Sequence, residues 1–315
     1  MMKPKVLILV GPTASGKKKL ASEIARRFSG EIISVDSRKV YRYLDIGTAK
    51  PSLLDRTVIP YHLIDIIDPD KTFSAWDWVK QATSAIADIH SRGKVPILSG
   101  GTGFYLSAFT HGLTEGIEPT VEIRNNLKGE LTRKGPAALY RMLLSIDPDR
   151  ASQLNEHDTF RVIRALEVYY TTGRTFSSFQ GKEKISGGDY TYLTFGLLIE
   201  RRELYHLIDK RVDDMVTHGL IEEIKGLLER GYSQDIPGFD TVGYKEWFPY
   251  LNGVMGFKDC LEEVKKNTRH YAKRQLTWFN SRPEIQWIKG ETLQSQENLF
   301  QQIEQWLVTE RDEKT

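Results

Sequence analysis

Cysteine is nearly missing from this chain: Cys260 is the one example in 315 residues. That excludes an internal disulfide framework and a cysteine-rich zinc site. Long apolar runs are missing as well. The N-terminal MMKPKVLILV holds only a short apolar stretch before Gly11-Pro12. It is too short for a signal peptide or a membrane span and reads as a buried first strand. The expectation is a cytoplasmic protein with no membrane association. Nor is there an excess of either charge sign. Lys and Arg number 44 against 42 Asp and Glu, so any nucleic-acid-binding surface must come from local clustering. Internal repeats and low-complexity tracts do not occur. What remains is an ordinary globular composition, long enough for one large domain or two smaller ones.

What the chain does have, in its first half, is a series of short and nearly continuous apolar runs at 6–10, 32–35 and 95–98. Each is followed by Gly, Asp or Ser, as expected of strands covered on both faces. Between them Leu20, Ile24 and Phe28 recur at helical steps, and Trp76, Val79, Ile86 and Ile89 mark a second stripe. Strand, helix, strand in this order predicts right-handed crossovers and a parallel sheet. A further strand is expected at 190–199. After Gly112 the texture changes: 113–188 shows polar helical segments and no strong buried strand, with Gly187-Gly188 as the return. The expected fold is α/β, a P-loop NTPase-like three-layer parallel-sheet core formed by 1–112 and 189–315, with a mainly helical insertion at 113–188. Residues 202–231 read as one long helix with Leu204, Ile208, Val212, Met215, Leu220, Ile224 and Leu227 on one face. The tail from Gln294 reads as helical.

The loop Gly11, Pro12, Thr13, Ala14, Ser15, Gly16 and Lys17 follows a strand and opens a helix. Its backbone N–H groups and the helix N-terminus favour an anion, and Lys17 adds positive charge. A mere tight turn would leave two glycines and a lysine at motif spacing unexplained. Lys18 is a departure, because the hydroxyl usual at that position ligates a magnesium ion bridging two phosphates. An ammonium group is no metal ligand until it loses its proton. The loop is therefore expected to hold a diphosphate, with metal held more loosely or by other groups. Asp36 lies past the second strand, where ligand crevices of open α/β sheets form, though alone it reads more readily as a loop cap. Thr102, in Gly100-Gly101-Thr102-Gly103, falls at the same sheet edge and suits a helix N-cap as well.

The motifs GPTASGK, DSRKVY, DIGTAKP, HLIDIIDP, GGTGFY, RVIRALEVYYTTG, VGYKE and AKRQLTWF occur in that order from residue 11 to residue 279. Together they resemble the bacterial tRNA dimethylallyltransferases, also called tRNA isopentenyltransferases or IPP transferases. The resemblance implies transfer of a dimethylallyl group from dimethylallyl diphosphate to the exocyclic N6 amine of the adenosine 3′ of the anticodon, position 37, in tRNAs reading codons that start with U. It implies that the loop from Gly11 to Lys18 holds the diphosphate leaving group, that Asp36 is the general base and that Thr102 is its hydroxyl partner. The tRNA contacts it implies are Asp36, Ser37, Arg38 and Lys39; Thr102; Arg124; Phe160, Arg161, Val162, Ile163 and Arg164 on the insertion; Asp240, Thr241, Val242, Gly243, Tyr244 and Lys245; and Lys273, Arg274, Gln275, Thr277 and Trp278. The last group belongs to a basic ridge with Lys266, Arg269 and His270. The implied cofactor is Mg2+, the partner is a tRNA anticodon stem-loop, and the expected state is a monomer. The target base has to leave the anticodon stack, so the expected pocket is a channel with one mouth for each substrate.

Arg38, Lys39 and Tyr43 join Lys18 as departures from the family pattern. Two other readings stay open on sequence alone: a tRNA-binding paralogue impaired by Lys18, and a P-loop kinase that binds ATP and acts on a small metabolite.

Overall fold

The computed structural model describes residues 3–114, 120–179, 184–185, 188–289 and 293–308. The chain divides into two compact units, Met1–Thr110 with Gly187–Thr315, and His111–Ser186.

In the larger unit the apolar runs form β1 (Lys5–Val10) and β2 (Gly30–Val35), followed by a short β3 (Tyr61–His62) and by β4 (Val95–Gly100). Between them lie α1 (Lys17–Arg27), α2 (Leu53–Val58) and α3 (Ala75–Ser91), and α4 (Gly103–His111) follows β4. Helix α3 opens with a capping box between Ser74 and Asp77 and turns Trp78, not Trp76, into the core. The Trp78 Nε1 donates to the carbonyl of Ser34 at 2.9 Å, which fixes the helix against β2.

The smaller unit pairs β5 (Leu113–Thr114) antiparallel with β6 (Lys184–Ile185). Its helices are α5 (Val121–Lys134), α6 (Pro136–Ile146), α7 (Pro148–Ala151) and α8 (Thr159–Thr172). They close on their own core of Leu127, Leu139, Leu143, Val162, Ala165 and Leu166.

The chain then returns to the larger unit as β7 (Thr191–Leu198), α9 (Arg201–Thr217), α10 (Leu220–Glu229), α11 (Phe248–Leu251), α12 (Phe257–Asn280), β8 (Gln286–Lys289) and α13 (Leu293–Val308). The expected single helix at 202–231 is thus two helices. Gly219 sits between them at φ 95°, a backbone setting that ends one helix and caps the next. The sheet has six strands in the order β3-β2-β4-β1-β7-β8, every neighbouring pair parallel. Successive strand side chains point to opposite faces, so the burial of every residue from Val6 to Val10 means that both faces are covered. Gly100 is in register with both Val10 and Val35. The loops leaving β1, β2 and β4 therefore start at one level of one sheet edge.

A buried carboxylate ties the β3 edge down. Glu31 on β2 accepts from Arg92, from Lys94 at 2.7 Å and pairs with His62 at 2.7 Å. The Arg92 hydrogen bonds, against the cost of burial and with help from Lys94 and His62, hold its carboxyl well below the usual range. A depressed carboxyl stabilises the fold above its unfolded pKa and loses that contribution as pH falls through the folded value. Glu31→Gln is expected to cost about 1–3 kcal/mol at pH 7, with the deficit shrinking in acid below about pH 4. Urea unfolding at pH 7 and pH 3.5 measures it, and equal deficits at both would refute the assignment.

Candidate active site

The first loop is built for an anion. Gly11 has no room for a side chain, since a Cβ would lie 2.9 Å from Ser15 Oγ and 3.3 Å from Leu197 Cβ. Ala14 and Gly16 adopt φ of 62° and 78°, which curls the chain back before α1 begins. No acidic residue lies in the first turn of α1, and Gly16 offers no side-chain cap. The amides at this helix end thus meet no carboxylate from the helix's own first turn. Ser15 Oγ is buried beside them with no hydrogen-bond partner among the described residues. Lys17 Nζ is close at hand and donates to the Pro12 carbonyl at 2.7 Å.

Three cations and one carboxylate share this place. Burial, then repulsion from Lys39 and Arg211, lowers the pKa of Lys17 to about 7, with Asp36 opposing. Lys39 is lowered to about 8, again chiefly by burial. Arg211 comes from α9 and is also lowered by burial, against the pull of Asp36. Lys18 is engaged elsewhere. Its Nζ donates to Asp55 Oδ2 at 2.7 Å, and Asp55 also caps α2 through the Ser52 amide at 2.9 Å.

Asp36 and Thr102 are brought together by the sheet. The amides of Gly101 and Thr102 both donate to the Val35 carbonyl at 3.1 Å. Ser37 N then donates to Thr102 Oγ1 at 3.0 Å, and Asp36 Oδ1 accepts from Arg38 N at 2.9 Å. Each glycine of the second loop answers to a close neighbour. A Cβ on Gly100 would fall 2.1 Å from the Val35 carbonyl oxygen, one on Gly101 2.2 Å from Gln275 Nε2, and one on Gly103 2.4 Å from the Trp278 ring. Helix α12 thus lies directly on this loop. From the same helix Tyr271 interacts with Thr102, and burial followed by the nearby Asp36 charge pushes its hydroxyl up to about 12.

The remaining sequence-derived residues sort by burial. His270, Lys273, Arg274, Thr277, Trp278 and Ser281 line an open groove on α12. Lys266 and Arg269 are instead paired with Glu263 and Asp209, so the expected basic ridge is shorter than its spacing suggests. Gln275 faces inward and is buried. Thr241 and Tyr244 are buried too. Tyr244 donates to Glu223 Oε1 at 2.6 Å and packs where a Gly47 side chain would be, which is how VGYKE meets DIGTAKP. Gly243 N donates to Glu246 Oε2 at 2.8 Å, Lys245 pairs with Asp240 at 2.8 Å, and Val242 lies between them in the chain. In the smaller unit Val162 is buried and Ile163 packs on the same core. Arg124 and Arg164 both pair with the buried Glu167, and Arg161 pairs with Asp158 while staying mostly exposed. Phe160 is 81% exposed. The side chains of Val162, Thr241, Tyr244 and Gln275 are thus buried.

Arg211 and Tyr271 were missed as site residues. A signal existed: both are polar residues on a buried helical stripe, Arg211 between Ile208 and Met215, Tyr271 between Val264 and Gln275. A loop-held metal does not fit these residues. Lys18 stands at the usual ligand position, and no three His, Cys, Asp or Glu side chains cluster among the described residues.

A family model described as IPP transferase matches residues 39–282. The tRNA dimethylallyltransferase 2 of Geotalea uraniireducens (strain Rf4) is 46% identical over 287 residues, covering 91% of this chain and 93% of that protein. The tRNA dimethylallyltransferase of Geobacter sulfurreducens is 44% identical over 287 residues, covering 91% and 92%. The structure of a tRNA isopentenylpyrophosphate transferase from Bacillus halodurans superimposes with TM-score 0.69 at 37% identity, covering 98% of this chain and 96% of that one. A eukaryotic dimethylallyltransferase acting on tRNA superimposes with TM-score 0.77 at 30% identity, covering 96% of this chain and 78% of that one.

The two lowered lysines set a pH dependence for anion binding. An organic diphosphate bound beside them would favour their cationic forms and raise both pKa values, so its affinity would fall as pH rises above about 7. Each group that must regain its proton costs up to about tenfold per pH unit. Calorimetric titration with an alkyl diphosphate from pH 7 to pH 9 is expected to show this loss, with proton uptake. An affinity flat across that range would rule it out.

Proposed function

The chain belongs to the IPP transferase family, and from that premise we infer that it is a tRNA dimethylallyltransferase, a prenyl-transferring enzyme that modifies tRNA. The donor is dimethylallyl diphosphate and the acceptor is the N6 amine of the adenosine 3′ of the anticodon, position 37, in tRNAs reading codons that begin with U. The observation that carries the reading is one contact. Ser37 N on Thr102 Oγ1 holds the Asp36 turn against the second glycine loop, while Asp36 also interacts with Lys17 and Lys39.

In this reading the N6 lone pair forms a bond to the allylic carbon while the carbon–oxygen bond to diphosphate breaks. The bonding electrons leave with the diphosphate, and the amine proton passes to Asp36. An aromatic amine is a weak nucleophile because its lone pair is delocalised into the ring. Asp36 and Thr102 together orient that lone pair toward carbon. The leaving group gains charge as the bond breaks, and the loop amides, Lys17, Arg211 and Lys39 are already oriented to stabilise it. Magnesium, when bound, would neutralise phosphate charge. Asp36 is the one carboxylate among these residues that could help to hold it. The α12 groove, with Lys273, Arg274, Thr277 and Trp278, supports recognition of a single-stranded loop by phosphate contact and stacking. Exposed Phe160 and Arg161 on the insertion suit the same task. No helix among the described residues is long and apolar enough to cross a membrane. We take the enzyme to be a cytoplasmic monomer.

With tRNA and dimethylallyl diphosphate, the expected product is one dimethylallyl group on adenosine, identified by nucleoside mass spectrometry. Asp36→Ala is expected to lower kcat by about 10²–10⁴-fold while tRNA affinity changes little; undiminished turnover would remove Asp36 as the base. Lys18→Thr restores a hydroxyl at the loop and is expected to sharpen the magnesium dependence of turnover. Coincident magnesium curves for the two proteins would mean that Lys18 has no part in metal handling.

A further inference from the structure

Gln275 makes two hydrogen bonds that no single loop requires. Its Oε1 accepts from Thr13 N at 2.8 Å, and its Nε2 donates to the Gly101 carbonyl at 2.9 Å. Thr13 belongs to the loop after β1 and Gly101 to the loop after β4. Under the proposed function the first holds the diphosphate and the second carries Thr102, on the acceptor side. The β1–β4 pairing ends at Val10 and Gly100, and beyond it Gln275 hydrogen-bonds both loops at once.

The chemistry of the bridge is specific. A carboxamide is neutral and carries both an acceptor and a donor, which is what an amide N–H on one side and a carbonyl on the other demand. Glutamate would present an acceptor to the Gly101 carbonyl, and leucine would leave both backbone groups unpaired in a buried place. The absence of a side chain at residue 101 fits the same bond, since a Cβ there would lie 2.2 Å from Nε2. Gln275 is also flanked on its own helix face. Tyr271, one turn earlier, reaches Thr102, and Trp278, one turn later, packs against Gly103. Three successive residues of the acceptor loop thus each meet one member of a single α12 stripe.

We propose that Gln275 is a positioning residue that couples the two half-sites, so that an anion settling on the first loop fixes the second loop and with it Thr102. The inference rests on the proposed function only for the names of the half-sites; the coupling itself is tested without turnover. The bland alternative is that Gln275 only helps α12 pack.

Hydrogen–deuterium exchange with inorganic diphosphate separates the two. In the wild type, diphosphate is expected to slow exchange several-fold both in peptides covering 11–18 and in peptides covering 98–106. In Gln275→Leu the first set should still respond and the second should not. Equal protection of 98–106 in both proteins overturns the coupling. Should Gln275→Leu fail to fold, Gly101→Ala reaches the same bond from the other side, and the same comparison decides.

A second readout uses turnover. Gln275→Glu keeps the acceptor for Thr13 N but loses the donor while ionised, so kcat should drop about 10- to 100-fold at pH 8. Gln275→Leu, which loses both bonds, should fall at least as far. An undiminished kcat in both variants overturns the proposal. A wild type that transfers no dimethylallyl group would instead remove the functional reading, with the exchange result still deciding the coupling.

Discussion

Two backbone hydrogen bonds onto one carbonyl, from Gly101 and Thr102 to Val35, set the geometry of the candidate site. They extend the β2–β4 pairing one step beyond the strands and clamp the two loops at the point where the sheet ends. Gly100 is the condition for that clamp, since any side chain there would collide with the Val35 carbonyl. Once the loops are joined, the short Asp36 turn has little freedom. Its carboxylate is held by the amides that follow it, and its neighbour Ser37 is fastened to Thr102. A parallel sheet buried on both faces is a stiff support, so positions at its carboxyl edge inherit the strand register with small error.

The electrostatics of this edge oppose the free protein. Lys17, Lys39 and Arg211 are drawn out of water beside a helix N-terminus, with Asp36 as their interacting carboxylate. Holding such charges together costs free energy, and the depressed lysine pKa values express it. An incoming diphosphate would offset that cost by supplying the missing negative charge. The same argument explains how the loop can spare its usual hydroxyl. Lys18 sits in a half-exposed pair with Asp55, an interaction of small worth, while two lysines and an arginine supply the positive charge that a diphosphate here would meet.

Much of the architecture was readable because it rests on local pattern. The apolar runs at 6–10, 32–35 and 95–98, each followed by a turn residue, are strands of one parallel sheet. The loop from Gly11 to Lys17 announced itself by glycines at positions the backbone needs. The misreadings have physical causes. Gly219 breaks a continuous apolar face by its backbone setting alone, which side-chain periodicity does not register. Trp78 displaces Trp76 in the core because Ser34 offers its indole N–H a partner. Arg211 and Tyr271 went unnoticed because no motif contains either; only their place on a buried helical stripe marks them.

Motif membership and chemical role then part company, and hydrogen-bond saturation is what separates them. Tyr244 belongs to a quoted motif yet spends its hydroxyl on Glu223, which in turn gathers the amides of Asp45 and Ile46. Lys50, in DIGTAKP, is buried and bonds the Tyr41 carbonyl, Asp45 and Asp65. Arg124 and Arg164 share Glu167. Each of these already has partners within its own unit, and a ligand would have to break a charge-assisted bond to recruit it. Ser15 Oγ, by contrast, is buried with no hydrogen-bond partner among the described residues, and Lys273 and Arg274 lie open along a groove. Sequence spacing places both kinds of residue in one motif string. Only the fold tells which side chains are occupied in holding the loops still, and a site that must align two substrates needs that first kind at least as much as the second.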